Sequence, residues 1–340
     1  MANTNNILII SDCSFYGGGE SFVANTLTEL CNFYNAYFLV KNDYLYNLLP
    51  VEKRLKFREN SFIKQLLEAK GIIKKLSISS VILNGGNTLF YTPFLRNTAK
   101  TVMYCHSTYK YVPIGIKRFL YIFLIHFCYF FAYRVIHVSK YSFSEQKIAR
   151  KKAITIYNGI NILPYKKREL SLPLHFLFVG RTDKSKGIDI IVDAFKQINI
   201  KIAILHIVGC GEYDATIIKI NNKNIVYHGF QNEVSSYYEN CNVFITLSEI
   251  ENCSLSILDA LNHSIPVITT MVGGNPELVN SSNGFPVDRT SADLLQVIYA
   301  ITDNPEQLIE KGEKANETAK TLFNRKNTIE KITNVLRSIL

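Results

Sequence analysis

Two carboxylates in the second half of the sequence have a spacing that suits the binding of a sugar or a nucleotide. Glu251 and Asp259 lie eight residues apart, a little over two helical turns, in a segment that follows the apolar run 243–246. They share one side of the chain if a helix begins between them. Each carboxylate can accept two hydrogen bonds from hydroxyl groups, and free N–H groups at a helix start can bind a phosphate. The alternative is that Glu251 is a first-turn acid and that Asp259 is a surface residue.

Two cations lie in a loop that the pattern places between a strand and a helix. Arg181 and Lys186 belong to the segment 180–187, which follows the apolar run Leu174–Val179. A guanidinium fork and an ammonium in such a loop can converge on a diphosphate. The alternative is that both are solvated loop cations.

Glycines follow the first apolar run. Gly17, Gly18 and Gly19 precede the helical pattern that begins at Phe22, so the backbone can approach a phosphate there. Phe22 stands where the dinucleotide fingerprint needs Gly or Ala, and the chain has no P-loop motif, so a tight structural turn is the alternative.

His106 follows another predicted strand and is a further candidate site residue. The alternative is a histidine with a purely structural role, whose hydrogen bonds are satisfied within the fold.

Short apolar runs alternate with longer amphipathic segments along the whole chain, which predicts an α/β fold with parallel sheets. The predicted strands are 7–11, 36–40, 80–83, 101–105, 135–138, 174–179, 203–208, 225–227, 243–246 and 266–270. Helices are predicted near 19–33, 59–76, 116–133 and from 188 to 195. Strand ends and helix starts would meet at one edge of each sheet, where ligands bind.

The pattern restarts after a basic, turn-rich stretch that ends near Pro173. The sequence therefore predicts two Rossmann-like domains facing across a cleft. Residues 1–163 form the first domain and residues 164–322 the second, and a carboxy-terminal helix over 323–340 can pack back on the first domain.

Composition excludes several protein classes. Of the 340 residues 47% are hydrophobic and 19% charged, which excludes a disordered chain. The seven cysteines form no C-x-x-C pair, which indicates a reducing, cytosolic compartment. The amino terminus lacks the pattern of a secretory signal, and the apolar stretch 119–133 is too short to span a membrane.

Charge is unevenly divided between the two halves. Residues 1–165 contain 20 Lys and Arg against 8 Asp and Glu, whereas residues 166–340 contain 18 against 20. The first half therefore carries +12 and suits an anionic partner, such as nucleic acid, acidic lipid headgroups or a phosphorylated substrate. A solvated basic surface is the alternative.

Six ordered motifs resemble those of family 4 glycosyltransferases, which are retaining enzymes with the GT-B fold. Glu251 to Ala260 matches the family pattern E-G-F-G-x-x-x-x-E-A, and Gly180 to Gly187 matches G-R-x-x-x-x-K-G. The further matches are Gly17 to Glu20 for G-G-x-E, Asn158 to Asn161 for N-G-[IV]-[DN], Val208 to Glu212 for the G-x-G turn, and Gly273 to Glu277 for G-G-x-x-E. The resemblance extends over most of the chain and is typical of bacterial surface-polysaccharide enzymes.

The resemblance implies that the domain 1–163 binds the acceptor and that the domain 164–322 binds the nucleotide-sugar donor. It also implies a role for each matching residue. Arg181 and Lys186 would neutralise the diphosphate of a UDP- or GDP-sugar, Glu251 would hold the donor sugar, and Asp259 would bind the ribose. The other implied donor-binding residues are Gly17, Gly18, Asn252, Cys253, Ser254 and Leu255, and His106 would lie beside the donor sugar. No metal and no other cofactor is expected, since the chain has no D-x-D motif, and no general base is identified.

Two departures from the family pattern bear on donor identity. Asp259 stands where the family has Glu, and Asn252-Cys253-Ser254 replaces Gly-Phe-Gly. Two other functions are alternatives to a glycosyltransferase. They are a nucleotide-sugar 2-epimerase of the same fold and a non-catalytic membrane-associated partner of a glycosyltransferase complex. The presence of Arg181, Lys186 and Glu251 together argues against the non-catalytic partner. The sequence does not satisfy the dinucleotide-binding fingerprint, which disfavours an oxidoreductase.

The acceptor is predicted to be a lipid-linked saccharide or an oligosaccharide, and no nucleic-acid partner is expected. An aromatic helix follows Lys117 and Arg118, and it can either pack wholly inside the domain or dip into a bilayer interface. Clustered cations over 53–75 can add attraction to an anionic membrane surface. The predicted location is therefore the cytoplasm, peripheral to the inner face of the cytoplasmic membrane.

Overall fold

The computed structural model describes residues 5–220 and 222–340. The chain forms two compact units. The first unit comprises the residues up to Gly159 together with Arg325–Leu340, and the second unit comprises Ile160–Asn324. The structure thus divides the chain at 159/160 and 324/325, where the sequence analysis placed the divisions at 163/164 and 322/323.

The first unit is built on a parallel sheet. Its strands are β1 (Asn6–Ser11), β2 (Asn35–Val40), β3 (Arg54–Lys56), β4 (Ser80–Asn84), β5 (Lys100–Cys105), β6 (Arg134–His137) and β7 (Ala153–Thr155). They are arranged in the order β3-β2-β1-β4-β5-β6-β7. Neighbouring strands run parallel, with Ile9 opposite Phe38 on one side of β1 and opposite Ile82 on the other. The central strands are buried on both faces, which explains their continuous apolar runs.

Helices cover this sheet. They are α1 (Gly18–Asn25), α2 (Asp43–Leu48), α3 (Phe62–Lys75), α4 (Thr92–Leu95), α5 (Ile116–Phe131) and α6 (Lys140–Glu145). The predicted helix 19–33 is interrupted at Thr26 and continues as a 3-10 turn over Leu27–Asn32. Thr26 has a non-helical backbone conformation, and its hydroxyl donates to the carbonyl of Gly159 at 3.3 Å, which ties the end of α1 to a distant part of the first unit.

The second unit is built on another parallel sheet. Its strands are β8 (Leu174–Val179), β9 (Ala203–Val208), β10 (Ile225–Gly229), β11 (Val243–Thr246), β12 (Val267–Thr270) and β13 (Gly284–Val287). Their order is β10-β9-β8-β11-β12-β13. The helices are α7 (Ile188–Phe195), α8 (Asp214–Ile218), α9 (Ser235–Asn240), α10 (Leu255–Asn262), α11 (Asn275–Leu278), α12 (Ser291–Asp303) and α13 (Gln307–Leu322). Helices α7 and α12 pack together on the core of β8, β9 and β11.

The last helix, α14 (Arg325–Arg337), lies in the first unit. Arg325 pairs with Glu29 at 3.3 Å, and the hydroxyl of Tyr34 donates to the carbonyl of Thr333 at 3.3 Å. At Gly159 a Cβ atom would lie 2.6 Å from the Cα of Arg325, so only glycine allows this approach. The chain therefore returns from the second unit to complete the first.

The strands β3, β7 and β13 were not predicted. All lie at sheet edges and have three or four residues. Pro286 in β13 has no N–H group, which an edge position tolerates because that side needs no partner. Edge strands have one open side, so they lack the long apolar runs that identify central strands.

Among the described residues, no helix combines the length and the apolar character needed to cross a bilayer.

Candidate functional site

Glycines hold together the loops at the carboxyl edge of the second sheet. Gly209, after β9, has φ +134, and a Cβ atom there would lie 1.9 Å from the carbonyl oxygen of Gly180. Thr182 donates its N–H to the carbonyl of Cys210 at 3.3 Å. The G-x-G motif after β9 thus allows its loop to pack directly on the cation-bearing loop after β8.

The loop after β8 displays Arg181. Asp183 accepts a hydrogen bond from the N–H of Lys186 at 3.2 Å and caps the short turn that carries this lysine. Its other carboxylate oxygen lies 3.2 Å from a guanidinium nitrogen of Arg181, whose side chain is 68% exposed. Arg181 is therefore held near the loop but remains accessible to a ligand from solvent.

Lys186 forms an ion pair with Glu251. The ammonium contacts Oε1 of Glu251, and the hydroxyl of Ser248 donates to the same oxygen at 3.3 Å. The side chain of Lys186 is 25% exposed and that of Glu251 only 9%. The predicted diphosphate-binding cation and the predicted sugar-binding carboxylate are thus brought together before any ligand is bound.

Backbone contacts fix this pair. The N–H of Glu249 donates to the carbonyl of Ser185 at 2.8 Å, and the N–H of Leu247 donates to that of Lys186 at 3.2 Å. Gly187 has φ +74, and a Cβ atom there would lie 2.5 Å from the carbonyl oxygen of Leu247. The two loops are therefore joined along their backbones, which sets the position of Lys186 relative to Glu251.

The G-G-x-x-E motif packs against the backbone of Glu251. Gly274 donates its N–H to the carbonyl of Glu251 at 3.0 Å. Gly273 has φ +57, and a Cβ atom there would lie only 1.8 Å from the same carbonyl oxygen. This motif therefore positions Glu251 from a second side.

Helix α10 begins between the two predicted carboxylates. Its first residue is Leu255, and Ser254 caps it by accepting the N–H of Ile257 at 3.4 Å. Asn252 and Ser254 are buried, whereas Cys253 is partly exposed. The first N–H groups of a helix have no acceptor within it, so this end is suited to an anion.

Asp259 lies in α10 and is partly exposed. Burial raises the pKa of the Tyr238 phenol well above its usual value, and the nearby charge of Asp259 adds a smaller effect in the same direction. Tyr238 donates its hydroxyl to the carbonyl of Ser256 at 3.2 Å. This tyrosine is a neighbour of Asp259 that the sequence did not indicate.

In the first unit, Glu20 organises the glycine loop. Its Oε2 accepts the N–H of Gly17 at 3.1 Å, and its Oε1 accepts the hydroxyl of Ser11 at 3.0 Å. Gly17 precedes α1, and Gly18 and Gly19 form its first turn. The acidic residue of the G-G-x-E motif is thus buried within the first unit and holds the start of α1.

His106 follows β5 and lies beside this loop. Its Nε2 lies 2.9 Å from Oδ1 of Asn84, and Nδ2 of Asn84 donates to the carbonyl of Gly19 at 3.1 Å. Because the amide group is oriented by that second bond, the proton of His106 is assigned to Nε2. Burial lowers the pKa of His106 to about 4, so the ring is neutral at pH 7.

Sequence reasoning missed three residues that shape these loops. Asn84 orients His106, and its position before Gly85-Gly86 at a strand end is a signal that could have identified it. Asp12 follows β1, and burial raises its pKa to about 6. Arg289 donates to the carbonyl of Leu247 at 3.0 Å and also to that of Lys184, so it braces both loops of the second unit.

Within residues 5–220 and 222–340, no group of three or more His, Cys, Asp or Glu side chains is arranged to hold a metal ion.

Comparisons with known proteins show similarity to glycosyltransferases. Residues 173–304 match the family model described as glycosyl transferases group 1. The chain is 30% identical over 208 residues to an uncharacterised glycosyltransferase, MJ1178 of Methanocaldococcus jannaschii, with 56% of this chain and 58% of that protein covered. It is 24% identical over 330 residues to the O-antigen biosynthesis glycosyltransferase WbnH of Escherichia coli, with 92% and 94% covered.

Solved structures share the fold. HepE of Anabaena, in complex with UDP, superposes with a TM-score of 0.84 at 17% identity, covering 98% of this chain and all of that one. The prediction of an α/β fold with two Rossmann-like domains is therefore confirmed.

Proposed function

We propose that this chain, which its motifs and its relatives identify as a glycosyltransferase of group 1, moves a sugar from a nucleotide diphosphate-sugar to a saccharide of a surface-polysaccharide precursor. The resemblance to family 4 enzymes drawn from the six motifs is confirmed by the family match and by the O-antigen relatives. In more detail, we propose that the donor is a UDP- or GDP-sugar, that the transferred group is a hexosyl or N-acetylhexosaminyl group, and that the acceptor is lipid-linked.

The Lys186–Glu251 pair carries the proposal. A buried carboxylate beside a partly buried ammonium provides an acceptor for sugar hydroxyls and a cation for a phosphate within one rigid pair of loops. Arg181 adds an exposed guanidinium on the same loop as Lys186. Cations positioned in advance stabilise the charge that develops on a departing nucleotide diphosphate.

The reaction needs no strong acid at the leaving group, because a nucleoside diphosphate stabilised by cations departs as an anion. Lys186 and Arg181 would supply that stabilisation without a metal ion, and Glu251 would hold the sugar by accepting hydrogen bonds from its hydroxyls. We propose retention by attack from the same face, with the donor phosphate accepting the proton of the acceptor. The predicted contacts of Gly17, Gly18 and His106 remain predictions.

Relatives and structural neighbours support the choice of substrates. HepE of Anabaena has been crystallised with UDP-glucose, and WbnH is named for O-antigen biosynthesis. These two names support a nucleotide sugar as the donor of this chain. The transferase motifs match better than those needed for 2-epimerisation, which requires a carboxylate pair placed for elimination.

A transfer assay tests the proposal. The purified protein is incubated with a panel of UDP- and GDP-sugars and with polyprenyl diphosphate-linked saccharides, and the released nucleoside diphosphate is quantified. We expect release with at least one donor to rise when an acceptor is present, and the NMR coupling of the new anomeric proton to report the donor's configuration. Conversion of a nucleotide sugar to its 2-epimer without transfer would replace this proposal by the epimerase alternative.

A further inference from the structure

Helix α5 exposes a continuous apolar face. Seven large apolar side chains on this helix are at least 46% exposed. They are Ile116, Phe119, Leu120, Phe123, Leu124, Phe127 and Phe130. Scattered exposed apolar residues are ordinary, but a contiguous set on one helix marks an interaction surface. The alternative in which this helix packs wholly inside its domain is therefore excluded.

The exposed residues occupy one side of the helix. At about 100° per residue, the seven positions fall within an arc of roughly 140°, and no polar residue interrupts them. The opposite side carries Ile125, Cys128 and Tyr129, which are buried in the core of the first unit. Helix α5 is thus anchored by one apolar face and presents a second one to its surroundings.

Cations are frequent in the sequence on both sides of this helix, and they lie at both of its ends. Between residues 69 and 168 the chain has 17 Lys and Arg and a single acidic residue, Glu145. Lys117 is exposed in the first turn, and Lys152 donates to the carbonyls of Phe130 and Ala132 at 2.8 and 2.9 Å at the last turn. Apolar side chains bordered by cations are complementary to a surface with an apolar interior and anionic headgroups.

The length of α5 limits how it can meet a bilayer. Sixteen residues extend about 24 Å, which is less than the roughly 30 Å of a hydrocarbon core. A second copy of the chain is a poor occupant, because it would bring two strongly basic segments together. We propose that α5 lies in the plane of an anionic bilayer interface and inserts its exposed apolar face, here called the α5 face, between the lipid headgroups.

This inference deepens the proposed function, since it names the surface by which the enzyme would reach a lipid-linked acceptor. The two are tested separately because vesicle binding requires neither a donor nor sugar transfer. Failure of transfer with intact insertion would refute the function alone, and transfer to an acceptor without insertion would refute only this inference.

The chain contains no tryptophan, so a single introduced tryptophan reports its own surroundings. We place it at Phe123 on the α5 face, or at Phe230 in the second unit as the matched control, because both side chains are 63% exposed. Vesicles contain equal parts of phosphatidylglycerol and phosphatidylcholine, with or without brominated acyl chains. We expect the emission of Phe123→Trp to move to shorter wavelength and to be quenched by the brominated chains, and that of Phe230→Trp to remain unchanged.

Two results would overturn the proposal. One is a protein that floats with the vesicles while the emission of Phe123→Trp is unchanged, since another surface would then bind. The other is a wild-type protein that does not float with these vesicles at low salt.

Charged substitutions provide an independent check. The double variant Phe123→Glu/Phe127→Glu should bind vesicles at least about tenfold more weakly, because it places charge in the inserted face. The control pair Ile218→Glu/Phe230→Glu on exposed positions of the second unit should bind as wild type does. If the first pair instead dissociates a dimer in sedimentation velocity and leaves vesicle binding unchanged, the α5 face is a self-association surface and the proposal is wrong.

Discussion

Lys186 and Glu251 lie 65 residues apart in the chain and form an ion pair in which the carboxylate is almost fully buried. The pair is set by backbone contacts between two loops, with Gly187 and Gly273 allowing the close approaches. An ammonium held in this way would need little reorganisation to meet the proposed donor diphosphate, which is the condition for electrostatic stabilisation of a leaving group.

Replacement of Lys186 by Ala should lower both transfer and stability. We expect kcat/KM to fall by about 10²- to 10³-fold, because a preorganised cation is lost at the leaving group. The free energy of unfolding should fall by about 1 to 3 kcal/mol, since the carboxylate of Glu251 stays buried without its partner while solvent screens part of the loss. Steady-state kinetics and urea unfolding measure the two effects.

Arg181→Ala is the matched variant. Its side chain is largely exposed and pairs with Asp183 near the surface, so the free energy of unfolding should change by less than about 0.5 kcal/mol. Transfer should nevertheless fall by at least tenfold, because the guanidinium is proposed to contact the donor diphosphate. Activity within a few fold of wild type in both variants would show that the cations do not face the diphosphate.

The two carboxylates should respond differently to conservative changes. Glu251→Gln keeps the shape of the side chain but removes the charge that Lys186 and the donor sugar would share, so transfer should nearly disappear. Asp259→Glu restores the residue found in the family pattern and should keep transfer within a few fold of wild type. An inactive Asp259→Glu enzyme beside an active Glu251→Gln enzyme would show that the roles are assigned to the wrong residues.

Chelators should leave transfer unchanged. The cations proposed to face the diphosphate are Lys186 and Arg181, and a D-x-D motif does not occur in the sequence. Activity is measured in EDTA and after addition of Mg²⁺ or Mn²⁺. Loss of activity that either ion restores would require a metal-dependent scheme.

Stability should fall with acidification because of His206, which lies between two other imidazoles on neighbouring strands. His206 lies 2.8 Å from His175 and 3.0 Å from His228 through ring nitrogens. Burial lowers the pKa of His206 to about 4 and also lowers that of His228. Between pH 6.5 and 4 the unfolded chain therefore binds protons that the folded chain does not, so acid favours unfolding.

For His206 alone, the free energy of unfolding lost on acidification amounts to about 1 to 2 kcal/mol after allowance for solvent screening. Urea unfolding from pH 7 to pH 4.5 measures it, and His206→Asn should show a shallower dependence than wild type. Identical slopes for the two proteins would mean that the imidazole titrates normally in the folded state.

The central strands were predictable because both faces are buried and their residues are apolar without interruption, as in Ile7–Ile10. The edge strands β3, β7 and β13 were not, because they have only three or four residues and lie open on one side. The exposed face of α5 was left open by the sequence, since an apolar helix pattern does not say which of its sides is covered.

The residues of the candidate site could be predicted from the sequence only in part. The motifs identified Arg181, Lys186 and Glu251, but they did not show that the last two pair directly. Asn84 and Arg289 escaped notice because each acts through a backbone carbonyl or a ring orientation that only the folded chain defines. Long-range contacts of this kind leave no periodic signal in the sequence.

Thermal unfolding in the presence of UDP, GDP and their sugar conjugates tests the central claim most directly, because a ligand bound only by the folded protein raises the unfolding temperature. At about 100 times its Kd, such a ligand stabilises the protein by roughly 2.7 kcal/mol. We predict that at least one nucleotide sugar raises the unfolding temperature of the wild type and that the double variant Arg181→Ala/Lys186→Ala loses this response. An unfolding temperature that no nucleotide or nucleotide sugar changes in the wild type would contradict the assignment.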